Sequence, residues 1–185
     1  MRGGPVKTGH PGAELVGENA MLDLKPVHKD SIPAALEKAM RYRLLNEPAE
    51  AESICLDVLN AEPDNQLALT TLLLALTDRF DSPYAVGSAQ AQEVLGRIRD
   101  PYEQAYYAGI IRERLAKARL AQHIPGARFH AYDLFLEALA FYQKADDLRP
   151  PGNDDARLRW NTCVRLIQRN QLIAHTEDTR EPPFD

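Results

Sequence analysis

PAEAESICLDVLNAEPDN, residues 48–65, carries the pattern that decides the fold. Ala51, Ile54, Cys55, Val58 and Leu59 fall at i, i+3, i+4, i+7 and i+8, the stripe that an amphipathic helix buries against a neighbour. Glu50, Glu52, Asp57 and Asn60 take the opposite face, and Pro63 with Asp64-Asn65 closes the segment. A helix this short is marginal alone, so it must stack on similar units to bury its stripe. The segment reads as half of a helical repeat, the unit of a binding module.

Prolines punctuate the chain on either side of it, at Pro33, Pro48, Pro63, Pro83, Pro101, Pro125 and Pro150-Pro151, leaving helix-sized intervals between them. Ser31 is placed to cap a first helix running to about Leu45, with Ile32, Ala35, Leu36, Ala39 and Met40 on one face. The third helix, Gln66 to about Arg79, is apolar on nearly every side and belongs in the middle of the fold. Helical patterning resumes from Ser88 to Arg99 after a loop over Phe80 to Gly87. Asp100-Pro101-Tyr102-Glu103 is a strong start signal, a capping acid followed by a proline at the first helical position, for a helix reaching about Ala121. Ala127 to Leu148 forms the longest helix. Asn153 caps a last one, with Asp154 and Asp155 in its first turn and Arg165 and Arg169 toward its end.

The class is therefore all-α, seven helices between about Ser31 and Arg169. No stretch alternates apolar with polar residues long enough to argue for a strand. The chain of 185 residues fits one domain, residues 30–175, between an N-terminal tail over 1–29 and a polar C-terminal tail over 176–185. Five of the ten glycines lie in the first seventeen residues, a composition that cannot pack, and Met21 is a candidate natural start. No apolar h-region follows the basic N-terminal residues, and the longest apolar run, Leu67 to Leu76, is too short to cross a bilayer. A cytoplasmic protein without membrane contact is expected. A net charge of −5 disfavours binding to nucleic acid. Cys55 and Cys163 sit in apolar stripes and make no disulfide framework.

No Gly-rich phosphate loop, HExxH or CxxC is present, so neither catalysis nor a cofactor is expected. His123 and His130 straddle a Pro-Gly break at a spacing that no common metal site uses, and no metal is expected. Asp146-Asp147 point about 100° apart on a helix and read as a solvated turn rather than paired acids. Cys163, one turn beyond Trp160, reads as core.

Two segments carry a further pattern. Ala138-x3-Tyr142-x2-Ala145-x4-Pro150 and Ala51-x3-Cys55-x2-Val58-x4-Pro63 share one spacing, and Tyr106-Tyr107-Ala108-Gly109 places a glycine after aromatics in a preceding helix. The chain thereby resembles the tetratricopeptide repeat family, whose second helix carries a small residue, an aromatic, a small residue and a proline at those offsets. Cys55 and Val58 depart from the aromatic and the alanine, no first helix has the family's tryptophan, and the longer intervals from Pro63 to Pro101 and on to Pro150 imply insertions. The resemblance covers roughly residues 31–169. It implies an α-α superhelix of about three antiparallel pairs plus a C-terminal capping helix, with a concave groove lined by the first helix of each pair.

Aligned on these signatures, the groove would hold Met40 and Arg43, then Thr70, Leu74 and Thr77, then Tyr106, Ile110, Glu113 and Arg114. Arg157, Asn161 and Arg165 would follow from the capping helix. The resemblance implies a non-catalytic adaptor that binds a protein or peptide partner, and the arginines suit an acidic one. Arg157, Asn161 and Arg165, four apart, would form the polar end, with Tyr106 and Ile110 as an apolar floor. Alternatively these arginines solvate an outer face or pair with Glu113 and Asp154. Leu36 and Met40 stand where the family's clamp for chaperone tails has Lys and Asn, which argues against a co-chaperone. A second reading is a small-molecule sensor with a pocket lined by Tyr106, Tyr107, Tyr132 and Tyr142.

Overall fold

A computed structural model of the chain describes residues 22–81, 87–122 and 124–175. The expectations for residues 1–21, for the part of the expected loop over 82–86, for His123 and for residues 176–185 lie outside them. Seven α-helices follow in order among the described residues: α1 Ile32–Leu44, α2 Pro48–Ala61, α3 Gln66–Thr77, α4 Gly87–Leu95, α5 Pro101–Ala121, α6 Ala127–Leu148 and α7 Asp155–Arg169. The rest of the described chain is turn and irregular segment, without a strand.

The start and stop chemistry acts mostly as the residues dictate. Proline stands in the first turn of α1, α2 and α5, where its missing N–H loses no helical bond. The Asp100 carboxylate accepts from the Glu103 N–H at 2.8 Å and caps α5, and Asn65 does the same for α3 through the Ala68 N–H at 2.9 Å. Ser31 is a correction: its side chain makes no capping bond, because a 3-10 turn over Lys29–Ser31 leads into α1 with Ser31 already near helical dihedrals. Asn153 accepts from the Asp155 N–H at 2.9 Å in a turn just ahead of α7, while Asp154 occupies the boundary itself. Helix α4 ends at Leu95 rather than Arg99, yet Ile98 is still buried beyond it.

Each helix folds back on its predecessor. The pairing of α5 with α6 is the most extensive, and Ala105 beside Ala145 and Gly109 beside Tyr142 give it an antiparallel register. Helix α3 touches both α1 and α5, so the odd-numbered helices stand side by side as one row. Ala156 of α7 packs with Ala105 and extends that row. The row runs parallel because every second helix reverses twice.

Two large apolar cores result among the described residues, beside a small cluster of Ala105, Ala145 and Ala156. The first gathers Leu36, Ala51, Cys55, Val58, Leu69, Leu73 and Ala91 from α1 to α4, with Ile111 of α5. Val27, within the expected tail, packs partly against it. The second holds Ile110, Phe135, Tyr142 and Cys163 from α5 to α7, with Leu172 from the segment after α7. Helix α3 separates them and is buried on most of its surface, as its all-round apolar sequence requires. Burial pushes the thiols of Cys55 and Cys163 up to about 12, in keeping with small core residues.

Candidate functional site

Along the odd-numbered row the apolar pattern of each helix is interrupted by charge, and the interruptions meet. Asp78 ends α3 and is the node of the first cluster. Its carboxylate accepts from Arg43 Nε of α1 at 2.7 Å and from Arg114 Nη1 of α5. The same Arg114 nitrogen donates to Thr77 Oγ1 at 2.7 Å and to the Leu74 carbonyl at 3.0 Å. Three helices are thus tied by one carboxylate. Burial presses the Arg114 pKa below its ordinary value and the Asp78 charge opposes that fall, so Asp78 is what makes a half-buried guanidinium tolerable there.

Glu113 is the node of the second cluster, one residue before Arg114 and so turned about 100° toward α6 and α7. It is 0% exposed. Tyr142 donates its hydroxyl to Glu113 Oε2 at 2.6 Å, Lys117 pairs with Oε1 from the next turn, and Arg159 of α7 reaches the same oxygen at 3.4 Å. Every approach to the carboxylate is therefore met by a donor, which is the condition for burying it. Burial, the Glu113 charge and the bond to it all keep the Tyr142 phenol protonated, well above the ordinary tyrosine value. Burial also works against the Arg159 charge, but Glu113 and the Tyr106 hydroxyl outweigh it and hold its pKa above the usual one.

Between these clusters lies an open cleft of about 330 Å³, walled by Thr77, Asp78, Phe80 and Asp81 on one side and by Arg159 on the other. Arg114, Lys117, Ala118 and Ala121 of α5 form its floor. Arg43, Arg114, Lys117 and Arg159 bring four positive charges against three carboxylates, Asp78, Asp81 and Glu113, in a chain whose net charge is −5. Lys117 and Arg159 keep 41% and 36% of their side-chain surface open to solvent. Both thus present surface to the cleft while paired with Glu113.

Arg43, Thr77 and Arg114, expected in the groove, come together here around Asp78. Arg157, Asn161 and Arg165 do not join them. Arg157 pairs with Asp146 of α6 at 2.8 Å and with Asp154 at 3.5 Å. With Asn161, Trp160 and Gln143 it lines a separate groove of about 250 Å³ between α6 and α7. Arg165 is exposed and farther round the same outer face. The residue that α7 turns toward α5 is Arg159. Ile110, at 1% exposed, is no floor for a ligand, because it is sealed in the second core.

Tyr106 is half-buried and packs against Tyr102, Tyr107 and Tyr142 with ring centroids 5.3 to 6.1 Å apart. These rings pack on one another, Tyr142 also backs the groove between α6 and α7, and the bare Gly109 backbone lies directly against the Tyr142 ring. Among the described residues no three His, Cys, Asp or Glu side chains converge as metal ligands would, and no helix is long and apolar enough to cross a membrane. Comparison with protein-family models, with curated proteins and with solved structures finds no match for this chain.

Proposed function

We propose that this chain is a non-catalytic interaction module of tetratricopeptide-like build, and that the cleft over α5 captures an acidic segment of a partner protein. The observation that carries this reading is the positive excess of the cleft in a chain that is otherwise acidic. Arg114 is spent on Asp78, but Lys117 and Arg159 share the single carboxylate of Glu113 and retain open donors. Two such donors about the floor suit a carboxylate pair, and charge complementarity at this scale acts mainly on association rate and specificity. The side-by-side row of odd-numbered helices supports the build, since in the family that the sequence resembles the ligand lies across such a row.

The test is titration of a fluorescein-labelled hexaglutamate peptide, read by anisotropy at low salt. Lys117→Gln and Arg159→Gln should each weaken binding about tenfold, while Arg157→Glu, in the α6/α7 groove, should leave it within about twofold. Equal loss from Arg157→Glu would move the site to that groove. No binding at low salt by the variant whose tail carboxylates are neutralised, described below, would end the acidic-segment reading.

A further inference from the structure

Helix α7 runs parallel to α5, so its last turn lies at the same end of the molecule as Ala118 and Ala121, where the cleft opens. Beyond Arg169 the chain turns at Gln171, whose φ is 49°, and buries Leu172 in the second core. Arg128 donates to the Asn170 carbonyl, and the His175 ring stands edge-on to Phe129, 4.9 Å between centroids. These contacts pin the start of the C-terminal segment against the first turn of α6, just past the end of α5 whose last turns floor the cleft. The ten residues that follow, TEDTREPPFD, carry Glu177, Asp178, Glu181 and Asp185 against a lone Arg180. Extended, they span up to about 33 Å, far more than the few turns of α5 separating their anchor from Lys117.

We propose that residues 176–185 occupy the cationic cleft of their own chain, placing carboxylates on Lys117 and Arg159, and that a partner must displace them to bind. The inference rests on the cleft being an acidic-segment site. Its energetic basis is tethering: a link of a few residues supplies an effective concentration on the order of millimolar, so even a weak ionic contact is occupied much of the time. The same contact offered in trans is easily outcompeted. Pro182 and Pro183 lower the conformational freedom lost on docking, since their φ is preset.

The experiment keeps the chain at full length. A variant with Glu177→Gln, Asp178→Asn, Glu181→Gln and Asp185→Asn is compared with the unsubstituted chain for hexaglutamate binding. A control neutralises four acids on the outer helices instead, Glu50→Gln, Glu93→Gln, Asp133→Asn and Asp147→Asn, and so changes the net charge equally. The tail variant should bind about fivefold to tenfold more tightly than the unsubstituted chain, the control less than twofold, and the difference should fade at 0.5 M salt as ionic contacts are screened. A synthetic peptide of residues 176–185 should compete with hexaglutamate on the tail variant, and adding Lys117→Gln to that variant should abolish the competition. Equal affinity of the tail variant and the unsubstituted chain, with both binding, overturns the tail contact and spares the cleft. A control shift as large as the tail shift also overturns it. Absence of binding by the tail variant overturns both readings.

Discussion

Gly109→Ala should destabilise the chain although it replaces a poor helix former by the best one. In an unobstructed helix interior the change would gain about 1 kcal/mol. Here the new Cβ would stand 2.5 Å from Tyr142 Cε1, 2.6 Å from Cδ1 and 2.9 Å from Cζ. Carbon pairs rest at about 3.5 to 4.0 Å, so the ring must retreat by about 1 Å. It has nowhere to go, because Tyr142 is 0% exposed and its hydroxyl is held on Glu113 at 2.6 Å. Overpacking of this kind costs about 1 to 3 kcal/mol, and loosening a hydrogen bond to a charged group adds about 1.5 to 3. Less the helical gain, the net loss is about 1.5 to 5 kcal/mol, or a fall of roughly 3 to 20 °C in Tm for a chain of this size. Urea and thermal unfolding followed by circular dichroism measure both. In a Tyr142→Val background the ring is gone and the sign should reverse, giving a coupling of about 2 kcal/mol or more between the two positions. A rise in Tm from Gly109→Ala in the unsubstituted chain would refute the close approach and the α5–α6 register with it.

Glu113→Gln should lower Tm by several degrees, through the loss of a charge that three donors serve, yet tighten hexaglutamate binding by removing a negative charge beneath the cleft; a parallel loss of both would refute the division of roles. Asp100→Ala should cost about 1 kcal/mol in urea unfolding by removing the α5 cap, and Asp100→Asn should restore most of it. Stability should fall as pH rises from about 9 toward 12. The folded state holds the protons of Cys55, Cys163 and Tyr102 up to about 12, whereas the unfolded chain releases them from 9.0 for the thiols and 10.0 for the phenol. Urea midpoints at pH 8 and pH 10.5 check the sign. Both thiols should also resist a disulfide reagent at pH 8 until the chain is unfolded.

The helices were legible because prolines and 3.6-residue stripes are local signals, and Asp100 caps α5 as its spacing implied. Gly109 was legible for the same reason: a glycine inside a strong helical stripe needs a packing partner, and Tyr142 is that partner. The site was only half legible. Register points to Arg43, Thr77 and Arg114, but it does not by itself reveal Asp78, the node that gathers them. Its signal was an acid at the C-terminal end of a helix, against the macrodipole, which requires a cation nearby. On helix α7 the spacing points to Arg157, Asn161 and Arg165, whereas the structure turns Arg159 toward α5. Residues four apart share a face, but spacing alone does not say which neighbour that face meets. The burial stripe through Ala156, Trp160, Cys163 and Ile167 places Arg159 toward the interior and Arg157 and Arg165 away from it. Glu113 carried a similar signal, a lone acid between Gly109, Ile110 and Ala116, all of them buried.

The strongest packing in this chain joins helices that are neighbours in sequence, and the row contacts skip only one. Loop closures during folding are accordingly short, and their entropic penalty grows only slowly with length. The α5–α6 hairpin, with 21 and 22 residues in its helices and the most extensive interface, is the natural nucleus. Helix α7 can then add from one side and α3 from the other, each finding a surface already formed. Assembly of this kind proceeds by accretion from the centre outward. The Asp78 and Glu113 clusters both draw a residue from α5, Arg114 in the first and Glu113 in the second, and they close only when the flanking helices arrive.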